Sequence, residues 1–106
     1  MVNIDDLEIY QSIKKYLFKV SKHFKIEHAY LFGSYANGKA HKESDIDLAI
    51  VSSSFSGNSF TDNVELGKLT WGIDTRIEPM GFTPQDFDEL MFAKEIKKLG
   101  IEIKTN

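Results

Sequence analysis

The chain has no cysteine, so disulfides, thiolate metal sites and a cysteine nucleophile are all excluded. Proline is scarce, at two residues, which leaves long stretches free to form regular structure. No apolar run approaches the ~20 residues needed to span a bilayer. The opening Met1-Val2-Asn3-Ile4-Asp5-Asp6 lacks the basic start and apolar stretch of a secretory signal. A cytoplasmic protein is the expectation from those two absences. Excess positive charge is missing too. Thirteen Lys and Arg stand against 16 Asp and Glu, a formal net charge of −3, whereas a domain gripping long nucleic acid through its phosphates is normally basic. What the chain does have is apolar content: 42% of its 106 residues, enough to bury a core and too much for disorder. Its length fits a single domain, 1–106.

Hydrophobic spacing sets the expected elements. Ile9, Ile13, Tyr16, Leu17, Val20 and Phe24 recur at helical intervals and predict a first helix over 5–23, with Asp5 and Asp6 at its positive end. Lys14, Lys15, Lys19, Lys22 and Lys25 read as that helix's solvated face. Ala29-Tyr30-Leu31-Phe32, stopped by Gly33, predicts a buried strand. A helical turn over 34–37 ends at Gly38, and a polar loop leads to a second strand in which Ile46, Leu48 and Ile50 alternate with Asp45, Asp47 and Ala49. After a Ser/Gly-rich loop over 52–59, a short helix over 60–69 is capped by Thr61 or Asp62. A third strand is expected over 73–78, ended by Pro79. Thr83-Pro84 starts a helical region reaching Leu99, with room for a break. Gly100 stops it, and Ile101-Glu102-Ile103 forms a last short strand. This alternation predicts an α/β fold, a small sheet flanked by helices. Phe55, Phe60, Trp71, Phe82, Phe87 and Phe92 are assigned to the core or a lid, and Met80 and Met91 to gap-filling core.

The stretches that carry chemistry are Gly33-Ser34-Tyr35-Ala36-Asn37-Gly38 and Ser44-Asp45-Ile46-Asp47-Leu48. Residues two apart on a strand share a face, so Asp45 and Asp47 project together with Cα atoms about 7 Å apart. Two like charges there are relieved by a cation, and Mg²⁺ with its oxygen ligands suits them. A merely polar strand face is the alternative. Glycine directly after a buried strand admits a ligand close to the backbone, and the free amides of a helical turn at Ser34 face an anion such as a triphosphate. The specific signal is the combination: apolar strand, Gly-Ser, Gly38, short loop, then Ser-Asp-x-Asp on a second apolar strand.

Residues 31–48, LFGSYANGKAHKESDIDL, resemble the signature of the DNA polymerase beta-like nucleotidyltransferase superfamily, and most of all its minimal, single-domain members. The resemblance implies a nucleotidyltransferase fold with a small mixed sheet. It implies that Gly33 and Ser34 hold a triphosphate and that Asp45 and Asp47 bind two Mg²⁺ ions. It also implies a third carboxylate on a following strand. The run Ile73-Asp74-Thr75-Arg76-Ile77-Glu78-Pro79 is similar to the corresponding strand of that superfamily, where Asp-x-Arg precedes a proline. Asp74 is therefore taken as third metal ligand and base, with Arg76 orienting the aspartates and Glu78 as the fallback. An ordinary same-face Arg76–Glu78 ion pair is the alternative for those two residues. Many relatives carry Arg or Lys where this chain has Asn37, so neutralising the triphosphate falls to Lys39 or Lys42.

The expected activity is Mg²⁺-dependent transfer of a nucleoside monophosphate, AMP from ATP, to an acceptor hydroxyl. Relatives of this size pair with an all-helical HEPN toxin, and some attach AMP to its tyrosine, so the resemblance implies a protein acceptor first and a small alcohol second. The competing class is a non-catalytic antitoxin-type module that neutralises a helical partner by contact. A homo-oligomer is compatible with either.

Overall fold

The computed structural model describes residues 7–41 and 43–105. Helix α1 (Tyr10–Ser21) leads to β1 (His28–Phe32), a 3₁₀ turn (Gly33–Tyr35), β2 (Ile46–Val51), α2 (Ser59–Lys68), β3 (Ile77–Phe82), α3 (Pro84–Glu89), α4 (Met91–Leu99) and β4 (Ile101–Ile103). The strands form one mixed sheet in the order β3-β2-β1-β4. β1 runs antiparallel to β2 and β4, whereas β2 and β3 are parallel. That agrees with the expected α/β architecture.

Period-two alternation splits the sheet's side chains between two layers. Ala29, Leu31, Ile46, Leu48, Ile50, Ile77 and Ile103 face α1 and α2, where Ile13, Tyr16, Leu17, Val20 and Leu66 complete the larger core. Tyr30, Ala49, Val51 and Phe82 face the other way, onto Phe87, Ala93 and Ile96 of α3 and α4. This second layer covers only part of its face. Phe32 and Met80 lie at its edge, partly buried, and the residues beyond them on the same strand faces, Asp47 and Glu78, are left with access to solvent.

Several boundaries differ from the sequence reading. Helix α1 begins at Tyr10, with no side-chain cap at Ile9; Asp5 and Asp6 lie outside the described residues. Helix α2 is capped by Asn58, whose side chain accepts from the Thr61 amide, rather than by Thr61 or Asp62. Asp62 is instead buried and accepts from the amide and hydroxyl of Ser56, tying the preceding loop down.

The third strand spans 77–82, not 73–78, and Pro79 sits inside it. The register explains the tolerance. Arg76 and Phe82 turn their carbonyls to β2, accepting from Ile46 and Ser52, so the even-numbered residues make the ladder. The nitrogen of Pro79 points outward with that of Gly81, whose amide donates to Asn63 of α2 at 2.8 Å. On an edge strand a proline so placed forfeits no ladder bond.

The helical region after Thr83 does break, at Leu90, whose ψ of 134° is extended. Thr83 caps α3 by accepting from the Asp86 amide, with Pro84 in the first turn. Of the aromatics assigned to the core, Phe55, Phe82 and Phe87 are buried; Phe60, Trp71 and Phe92 are exposed, as is Met91. Met91 lies open to solvent at the start of α4, whereas Phe92, about half exposed, stands edge-on to Phe32 at the rim of the sheet. Among the described residues no helix is long and apolar enough to cross a membrane.

Candidate active site

The site forms where β1 ends and β2 and β3 begin, on the sheet face that α4 only partly covers. Cross-strand register builds it. Phe32 pairs with Asp47, and Asp47 pairs with Glu78, so an aromatic and two carboxylates stand side by side on three adjacent strands. Asp45 lies just before β2, opposite Arg76, whose carbonyl receives the Ile46 amide at 2.9 Å.

The Gly33 turn closes directly over this row. Gly33 has φ of +75°, a conformation that favours glycine, and a Cβ built there would overlap the Asp47 carboxylate, with Asp47 Cγ only 3.2 Å away. Backbone and carboxylate thus approach to a distance no side chain permits. The turn is secured by the Ala36 and Asn37 amides, both donating to the Gly33 carbonyl at 3.1 Å. The Lys39 amide donates to the Ser34 carbonyl at 2.9 Å and to the Asn37 side-chain oxygen at 3.0 Å. Gly38, at φ +79°, ends it. Ser34 is half-buried and Lys39 exposed. Lys42 lies outside the described residues.

Electrostatics single out Asp47. Its pKa is raised from the ordinary 3.8, first by burial and then by the negative charges of Asp45 and Glu78. Those are the two acidic neighbours that register and spacing predict for it. Among the described residues, no three histidine or carboxylate side chains are already gathered closely enough to grip a metal ion. Asp45, Asp47 and Glu78 form an open, mutually repelling row of hard oxygen donors.

Asp74 is placed differently from the expectation. It precedes β3 in a turn, its amide donating to the Thr70 carbonyl at 3.2 Å. Arg76 grips both carboxylate oxygens: Nε donates to Oδ1 at 3.1 Å, Nη2 donates to Oδ2 at 2.8 Å, and the Arg76 amide adds a third bond to Oδ1 at 3.1 Å. These bonds, chiefly the guanidinium's, hold the Asp74 pKa down to about 2. Asp74 is thus bonded to Arg76 and to the Ser12 side chain, whereas the expectation had Arg76 orienting the Asp45–Asp47 pair. The residue that register sets beside Asp47 is Glu78, the fallback. Reading Pro79 as the end of the third strand moved the strand four residues too early and made Asp74 look like its facing carboxylate. The alternation of Glu78, Met80 and Phe82 was the signal that could have corrected it.

Beside the row, Phe32, Ala36, Phe92, Ile96 and Leu99 line an apolar cleft of about 250 Å³ that begins at Gly33. His41, in the loop before Asp45, is exposed, and its amide donates to Ser44 Oγ at 2.8 Å.

Comparison with known proteins agrees with the fold. The chain superposes on the crystal structure of a putative nucleotidyltransferase from Sulfolobus solfataricus with a TM-score of 0.68 and 20% identity, covering 91% of this chain and 79% of that one. It superposes on a toxin–antitoxin structure with AMP-PNP at a TM-score of 0.62 and 24% identity, covering 91% and 73% respectively. These likenesses establish the fold. No curated protein matches the sequence. The family model described as polymerase beta, nucleotidyltransferase, matches residues 11–105. The chain therefore belongs to the polymerase beta nucleotidyltransferase family and is a nucleotidyltransferase.

Proposed function

We propose that the chain transfers a nucleoside monophosphate, AMP from ATP, to an acceptor hydroxyl, using Asp45, Asp47 and Glu78 with Mg²⁺. The observation that carries this reading is the contact of Gly33 with the Asp47 carboxylate, which no β-carbon would permit. It brings the phosphate-holding turn and the acidic row into one site. The donor set suits Mg²⁺: carboxylate oxygens only, on adjacent strands, with Asp47 strained by like charge until a cation neutralises it. When bound, the metal supplies charge neutralisation for the phosphates and polarisation of the attacking and leaving oxygens.

The protein's own contributions follow. Gly33 lets the triphosphate approach the backbone, Ser34 offers a hydroxyl, and Lys39 stands at the end of the same turn as the available cation in place of the missing basic residue at Asn37. Asp45 and Asp47 fix the metal side of the site, and Glu78 borders the side open to an acceptor. The acceptor oxygen attacks the α-phosphorus, its proton passes to a Glu78 carboxylate oxygen, the bond to the bridging oxygen breaks and pyrophosphate departs. Most of the acceleration is positioning and charge stabilisation. Arg76 and Asp74 brace the chain entering β3.

A second reading, an antitoxin-type module acting by contact on a HEPN-like helical partner, draws support from the toxin–antitoxin neighbour and from exposed Leu90, just before α4, with Met91, Phe92 and Leu99 on it. It combines with the first if the partner's tyrosine is the acceptor. Incubation with labelled NTPs, Mg²⁺ and an extract of the source cells, followed by mass spectrometry of what acquires the label, tests both. Transfer that disappears in Asp45→Ala and Asp47→Ala supports catalysis. Transfer undiminished in those variants rejects the site, and partner binding that needs neither NTP nor Asp45 favours the module.

A further inference from the structure

The outer side of α2 carries apolar residues that neither the core nor the active site uses. Asp62 and Leu66 of this helix are buried, and Asn63 holds the β3 edge by accepting from the Gly81 amide. Phe60, Val64 and Trp71, by contrast, are 78%, 40% and 67% exposed. Trp71 lies just past the helix end, where the Thr70 and Trp71 amides donate to the Gly67 and Lys68 carbonyls at 3.1 and 3.3 Å, so the helical winding continues to it. Gly67 falls between Val64 and Trp71. Positions 60, 64, 67 and 71, at intervals of four, three and four, have the spacing by which one helix packs along another. Gly67 is the member the fold leaves unexplained. Glycine inside a helix lowers its stability, and a β-carbon built there meets nothing among the described residues within 4 Å.

We infer that this stripe is a dimer seam, covered by α2 of a second copy of the chain packed antiparallel to it. A two-fold axis near Glu65 and Leu66 sets Phe60 of each copy against Trp71 of the other, and Val64 of each against Gly67 of the other. Aromatic meets aromatic at both ends, and in the middle a branched side chain enters the space over a glycine. A symmetric contact requires this self-complementarity, and it gives the helical glycine a purpose. A parallel pair would set Gly67 on Gly67 and leave a gap. Lys68, held by Glu65 at 3.6 Å, comes beside Thr61 of the second copy rather than another lysine. The area sets the strength. An aromatic side chain covers roughly 150–250 Å² when fully buried, so Phe60 and Trp71 at their observed exposure leave on the order of 300 Å² open on each copy. Both copies together, with Val64 and the stems of Thr61 and Lys68, approach the ~1,000 Å² at which a specific contact begins. The dimer is therefore a weak one that forms and separates with concentration.

The test is analytical ultracentrifugation of the full chain from about 1 µM to about 1 mM, for the wild type, Phe60→Ser and Gly67→Gln. The wild type should pass from a monomer of 12.1 kDa toward twice that mass as concentration rises. Phe60→Ser should weaken association about tenfold, as truncating an aromatic anchor does. Gly67→Gln separates the seam from general stickiness. In the monomer its side chain enters open space and favours the helix, so Tm at low concentration should rise by a few degrees. In the dimer it takes the place of Val64 from the second copy, and association should be lost. A wild type that stays monomeric throughout overturns the seam, as does a Gly67→Gln variant that associates as tightly as the wild type.

Discussion

Substituting Gly33 with alanine probes the closest contact in the site. The backbone there has φ of +75°, where an alanine is strained by about 1–2 kcal/mol. The new methyl also collides with the Asp47 carboxylate, whose Cγ and Cβ lie 3.2 and 3.4 Å from its position. The carboxylate must leave its rotamer, at a cost of about 1 kcal/mol. Together these predict a loss of about 2–3 kcal/mol, or a Tm lower by roughly 10–20 °C for a domain of this size. Transfer falls further than stability alone requires, by about a hundredfold, because a ligand displaced by an ångström forfeits that much. A double-mutant cycle separates the two parts. In an Asp47→Ala background the collision is gone and only the backbone strain remains, so Gly33→Ala should cost about 1 kcal/mol less there. Thermal and urea unfolding give the energies, and labelled-nucleotide transfer gives the activity. Equal cost in both backgrounds, or full transfer by Gly33→Ala, would refute the claim that turn and carboxylate form one unit.

Two further outcomes follow from the same structure. Asp47→Asn should raise Tm at neutral pH without divalent cation. The folded-state pKa of Asp47 is raised, so the charged form penalises the fold above that pKa, and the penalty fades as pH drops toward the ordinary 3.8. The stabilisation should therefore shrink on acidification, and an advantage that persists at pH 3 would contradict it. Tyr16→Phe removes a buried hydroxyl that donates to the Leu66 carbonyl at 2.7 Å. Leaving that carbonyl without its partner should cost about 1–3 kcal/mol in urea unfolding, and an unchanged midpoint would show the bond to be replaceable.

Much of the fold was legible because the layers are strictly patterned. The alternation of Ile46, Leu48 and Ile50 against Asp47 and Ala49 gave β2 its two faces, and Thr83-Pro84 and Gly100 bracket the last helical region as their backbone preferences require. The Gly33 turn and the Asp45–Asp47 strand could be located because each depends on local constraints: a positive φ, and carboxylates two residues apart. The third carboxylate was harder. Its assignment turns on register between β2 and β3 and on a proline tolerated at an outward-facing edge position, and neither is a local property of the residues. Asp74 matched the expected spacing, yet the guanidinium two residues away binds it on both oxygens. Exposure on α4 was likewise hidden, since only tertiary packing decides how much of Met91 and Phe92 is covered.

The decisive comparison is single-turnover transfer of labelled nucleotide by Glu78→Gln and Asp74→Asn, each verified as folded. Glu78 beside Asp47 predicts that Glu78→Gln loses transfer by about a hundredfold or more. Asp74→Asn, which loosens the bonds to Arg76 and Ser12 away from the acidic row, should stay within a few-fold of the wild type, with a lower Tm. The reverse pattern, Asp74→Asn inactive and Glu78→Gln active, would contradict the assignment of the acidic row to Asp45, Asp47 and Glu78.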